Sequence, residues 1–101
     1  MILNVLDRVT LLGVLPEQGD FVTLKIVRQL RESLSFTEEE LRDLEIKQTD
    51  GRIFWNSGAD HGKDIQVGEK ATDIIVASLK QLNDQKKLTQ QHYDLYEKFC
   101  G

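Results

Sequence analysis

The chain has one cysteine and one proline in 101 residues. Cys100 has no partner within the chain, so no internal disulfide can staple the fold. Small secreted domains commonly depend on such staples, which points to a reducing compartment and a cytoplasmic location. The start, Met1-Ile2-Leu3-Asn4, lacks the basic stretch and cleavage site of a signal peptide, and the chain is expected to be whole from Met1. No apolar run approaches the roughly 20 residues that span a bilayer. Charge of one sign is also scarce: 13 basic residues stand against 17 acidic ones, for a net −4. That excess is too small to mimic DNA and gives no general attraction to phosphate backbones.

What is present supports one modest core. With 40% hydrophobic residues, the chain reads as a single α+β domain over residues 1–101. Ile2, Val5, Leu6, Val9 and Leu12 recur at helical spacing and predict a helix over about 4–13, with Asn4 as cap and Gly13 at its end. Pro16 and Gly19 mark a loop. Residues 21–34 begin with strand-like alternation and shift to a three-to-four-residue period, which predicts a helix capped by Asp20. Thr37 and Glu40 form a capping box for a short helix over about 38–44, with Phe36 and Leu41 placed for a hydrophobic staple.

Between this third helix and the fourth, Asp50-Gly51 suits a two-residue type I′ turn. That turn pairs Thr49 with Arg52, Gln48 with Ile53, Lys47 with Phe54 and Ile46 with Trp55. Ile46, Ile53 and Trp55 become core candidates, and Phe54 points to the other face. Residues 56–62 read as a mobile loop, and Asp64 to Val67 as a third short strand. A helix from Glu69 to Asn83 or Asp84 carries Ala71, Ile75, Ser78, Leu79 and Leu82 on one face, with Ile74 at its edge. Thr89 caps a last helix in which His92, Leu95, Tyr96 and Phe99 share a face, with Leu88 and Tyr93 as staple partners. The expectation is about five helices, two of them short, with a β-hairpin or small three-stranded antiparallel sheet between helices 3 and 4.

Three stretches carry a wider likeness: LPEQGDFVTLKIVRQLRESLSFTEEE at 15–40, IFWN at 53–56 and LTQQHYDLYEKF at 88–99. In overall layout the chain resembles small proteins of unknown function carried by bacteriophages and prophages. That resemblance implies an origin and supplies no functional residues.

Four kinds of site can be weighed. Three helices followed by a hairpin match the order of a winged helix, with 38–44 as recognition helix and 45–55 as wing. Residues 32–45, however, hold Glu32, Glu38, Glu39, Glu40, Asp43 and Glu45 against the single base Arg42, and phosphates would repel them. Lys25, Arg28, Arg31, Lys47 and Arg52 remain as a candidate nucleic-acid patch, against the plainer explanation of a solvated charged surface. Asp60, His61 and Asp64 offer carboxylates and an imidazole within five residues, yet a structural zinc needs four ligands. His92 is more simply a half-buried helix residue. Cys100, near the chain end, is expected to fray or to fill a corner against Phe99, and Ser57 lacks the strand–turn–helix setting of a nucleophile elbow. No phosphate-loop spacing occurs among the glycines. The expectation is therefore a protein without enzymatic activity, cofactor or metal. Phe54, Tyr93 and Tyr96 are the candidate interface for a protein partner or a second copy, against the plainer explanation that they pack the core.

Overall fold

A computed structural model describes residues 1–101. The element order is β1 (Ile2–Leu3), α1 (Val5–Val14), α2 (Phe21–Leu34), α3 (Glu38–Asp43), β2 (Lys47–Thr49), β3 (Arg52–Phe54), β4 (Lys63–Asp64), α4 (Glu69–Asp84) and α5 (Gln90–Cys100). The α+β class, the five helices and the hairpin between α3 and α4 are as the sequence predicts. Each helix start follows local chemistry. Asn4 Oδ1 accepts the Asp7 N–H at 2.8 Å while Asp7 returns the bond to the Asn4 N–H, a capping box at α1. Asp20 accepts the Thr23 N–H at 2.7 Å, and Thr37 and Glu40 close the predicted box at α3.

The hairpin register is also the predicted one, Lys47 with Phe54, Gln48 with Ile53 and Thr49 with Arg52. Asp50 and Gly51 both take positive φ, 52° and 74°, as a type I′ turn requires. The third strand falls elsewhere. Lys63–Asp64 pairs with Ile2–Leu3 in a separate two-stranded antiparallel sheet, and the hairpin keeps two strands. Ile2 is accordingly an exposed strand residue and leaves the apolar face assigned to α1.

The core lies among α1, α2, α4 and α5. Leu3, Leu11, Leu15, Val27, Leu30, Leu34, Ile65, Ala71, Ile75, Leu79 and Leu95 form one buried cluster. The predicted face of α4 supplies Ala71, Ile75 and Leu79 to it. The hairpin supplies nothing. Ile46, Ile53 and Trp55 are half-buried, because a two-stranded ribbon can cover only the rim of a helical core already filled by leucine.

Helix α1 departs most from its sequence pattern. Its buried residues are Val5, Asp7, Arg8, Thr10 and Leu11, while Leu6, Val9 and Leu12 are half-buried. Each buried polar side chain has a partner. Asp7 pairs with Lys98 of α5, and Thr10 Oγ1 accepts a hydrogen bond from Gln91 at 3.0 Å. Arg8, 2% exposed, fills the corner between α1 and the α2–α3 junction. Its Nε donates to Leu34 O at 3.1 Å, its Nη2 to Ser35 O at 2.8 Å, and its Nη1 to Glu40. The guanidinium carbon lies 4.0 Å from the centroid of Phe36. One side chain thus satisfies carbonyls at the end of α2, pairs with the acid at the start of α3 and stacks on the ring between them.

Candidate functional site

Asp60, His61 and Asp64, weighed above as a candidate acid–base or metal cluster against a plain loop, are engaged separately. Asp60 Oδ2 accepts the Val5 N–H at 3.0 Å, and Asp60 Oδ1 accepts the Gly62 N–H at 3.3 Å. Its carboxylate therefore serves an otherwise open donor at the N-terminus of α1. Asp64 pairs with the Met1 amine at 2.8 Å. His92 sits on α5, where its Nδ1 accepts the Thr89 N–H at 3.0 Å and completes the helix cap. The segment read as a mobile loop contains a turn of 3-10 helix, Ser57–Ala59, with the Asn56 side chain accepting the Gly58 N–H at 3.1 Å. Local hydrogen bonds order it.

Asp60 and His61 do line a small cavity of about 190 Å³ together with Arg8, Glu40 and Lys63, with Val5, Leu44 and Ala59 as its apolar part. Its strongest acid is Glu40, held at about 2 against an ordinary 4.5, chiefly by the hydrogen bond from Arg8. The Thr37 N–H and Lys63 add to that effect, while burial opposes it. A carboxylate so stabilised is a poor base near neutral pH, where a catalytic group needs a matched pKa. Arg8 and Glu40 were not among the sequence candidates. The available signal was the stripe Val5, Arg8, Leu11, Leu15, in which a charge stands at an apolar helical spacing.

Cys100 ends α5, half-buried and packed with Phe99 against the core. Burial pushes its thiol up, with a smaller opposing effect from Lys80. A raised pKa lowers the thiolate fraction that a nucleophile requires. A cavity of about 520 Å³ lies between α2 and the start of α4 and includes Gln29, Ser33, Gln66, Glu69 and Lys70. None of the sequence candidates lines it.

The aromatic candidates separate. Phe54 is 54% exposed and Tyr93 58% exposed, whereas Tyr96 is half-buried and packs against the core. Tyr93 is not buried in a staple. The Glu97 carboxylate one turn on raises its pKa, and Leu88 alone packs inward. Phe21, 80% exposed at the start of α2, carries more open aromatic surface than any of the three and had no distinguishing signal in sequence. Phe54 has company. A cleft of about 390 Å³ runs along β3, lined by Gly51, Arg52, Ile53, Phe54 and Trp55 on one side and by Leu6, Val9 and Gln91 on the other. Tyr93 and Tyr96 take no part in it.

The basic candidates are divided between two elements. Lys25 and Arg28 are exposed and Arg31 is half-buried on α2, which packs on α1 and α4. Lys47 and Arg52 are exposed on the hairpin, beside α1 and α5. None of the five enters an ion pair within the chain. On α3, weighed above as a recognition helix and disfavoured by its acids, Glu38, Glu39 and Asp43 are exposed. No helix is long and apolar enough to cross a membrane. No protein family matches the chain, and neither a curated protein nor a solved structure shows significant similarity to it.

Proposed function

We propose that the chain is a non-enzymatic interaction or regulatory protein of the cytoplasm, of phage or prophage origin, that binds a protein through the hairpin surface around Phe54. The observation that carries this reading is the cleft along β3. There an open aromatic ring, a half-buried Trp55 and Ile53, and the α1 residues Leu6 and Val9 lie together outside the core. Aromatic anchors beside an apolar recess, with an arginine at the rim, are the composition of binding hot spots. None of these residues belongs to the buried cluster or to the residues packed against it, so their apolar character calls for a further explanation.

The test is retention of a partner at low protein concentration by wild type and by Phe54→Ala. A protein held by wild type, lost with Phe54→Ala and protecting the amides of 51–55 from exchange supports the reading. A partner held equally by both, or no Phe54-dependent partner from the native host, overturns it. The alternative is nucleic-acid binding through Lys25, Arg28, Arg31, Lys47 and Arg52, whose charges have no partners in the chain. It requires binding to duplex DNA at about 50 mM salt that weakens steeply as salt rises. The exposed acids of α3 weigh against it.

A further inference from the structure

The buried residues are unevenly distributed along the chain. All 15 lie either in 3–34 or in 65–95, and between Leu34 and Ile65 there is none. Nor does any residue of that stretch pack against the core cluster. Its bonds to the rest of the chain gather near its two ends. Glu40 is held by Arg8 and, at 3.2 Å, by Lys63, and Phe36 stacks on the Arg8 guanidinium. At the other end Asp60 accepts the Val5 N–H at 3.0 Å. From Leu41 to Ala59 the hydrogen bonds stay within the stretch. The Ile46 N–H donates to Leu41 O at 3.0 Å, the Asn56 N–H to Leu44 O at 2.8 Å, and the Asn56 side chain to Glu45 at 3.0 Å. The short helix α3 and the hairpin are thus tied to each other and only lightly to the body, across the cleft with Leu6, Val9 and Gln91.

A six-residue helix and a two-stranded hairpin are not stable alone in water. Segments with little buried apolar contact supply the least costly openings of a folded protein. We propose that residues 36–62 open as one unit, with Arg8 as the latch, while the core of α1, α2, α4 and α5 stays folded. Opening takes no residue out of the buried cluster. It strands no buried charge either, because Arg8 keeps Leu34 O and Ser35 O and turns its remaining donors to water. What it uncovers is Leu6 and Val9 of α1, half-buried beside β3 in the closed form. The unit is a strap over an apolar helix face, released at the contact of Arg8 with Glu40. Such opening occurs in the chain alone and does not depend on the interaction reading.

Native-state hydrogen exchange of the full chain, read by NMR in urea below the unfolding transition, tests this. The Ile46 and Asn56 amides should respond alike and be at least about tenfold less protected than those of Ile75 and Leu79. Their exchange should also depend less on urea, because a partial opening exposes less surface. Ile75→Val should speed the α4 amides about fivefold and leave those of 36–62 unchanged. Glu40→Gln should speed both sets about tenfold, because its contact with Arg8 is lost in either kind of opening. If residues 36–62 share the protection, the urea slope and the Ile75→Val response of α4, they unfold only with the whole chain and the proposal is overturned. Exchange in 36–62 that is indifferent to Glu40→Gln removes the latch and overturns it as well.

Discussion

Glu40→Gln removes one charge from the Arg8 corner while keeping an oxygen able to accept the Thr37 N–H, so the cap survives and the ion pair does not. The folded carboxyl is held at about 2 against an ordinary 4.5. Taken at face value, that difference corresponds to roughly 3 kcal/mol of stability at neutral pH. Lys63, the second partner, is half exposed, and Glu40 itself meets solvent. Screening there brings the expectation to about 1–2 kcal/mol. Because the folded pKa lies below the unfolded one, this contribution is fully present above about pH 4.5 and is lost as the pH falls toward 2, more than half of it by about pH 3. Urea unfolding followed by helical circular dichroism, at pH 7 and at intervals down to pH 2, measures it. Glu40→Gln should be the less stable protein at pH 7, and the two curves should converge on acidification. Parallel curves, with a constant gap from pH 7 to 2, would refute the assignment of the charge pair as the source.

Three further outcomes follow from the fold. Ile75→Ala, at a site with no solvent exposure, should cost about 2–5 kcal/mol by thermal or urea unfolding. Gly62→Ala places a Cβ 2.6 Å from Ile2 Cγ2 at a φ of +79°, and should cost about 1–2 kcal/mol and loosen β1 against β4 in amide exchange. Asp60→Ala leaves the Val5 N–H without its acceptor and should lower stability by about 1 kcal/mol, with no dependence on added divalent metal. A metal-dependent melting temperature in wild type that vanishes in Asp60→Ala would contradict the capping role.

Legibility along the chain followed the range of the interactions. The caps Asn4, Asp20, Thr37 and Thr89 act within four residues, and all four mark helix starts in the structure. The Asp50-Gly51 turn sets its own register for the same reason: two residues at positive φ fix which residues face one another. The sheet of Ile2–Leu3 with Lys63–Asp64 joins segments some 60 residues apart, and two-residue strands carry no periodicity to read. The burial of Arg8 is not legible locally, because its partners, Leu34, Ser35, Phe36 and Glu40, lie in elements whose packing on α1 is not encoded near it in sequence. Phe54 was placed correctly on the face opposite Ile53, yet whether that face would be covered depended on where the hairpin docks. Tyr96 illustrates the opposite outcome, an aromatic from the candidate interface that the core takes up.

Sequence alone therefore settled where the helices begin, which α4 residues turn inward and how the hairpin pairs. Those outcomes follow from backbone donors near each helix start, from a repeat of 3.6 residues and from the steric freedom of glycine. Only the tertiary structure decided that Asp60 would serve the start of α1 and that Arg8 would be buried with Glu40. It likewise decided that β3 would border an open cleft. Each of these requires two distant segments to meet, and burying a charge or leaving a cleft open is decided by the groups that arrive beside it.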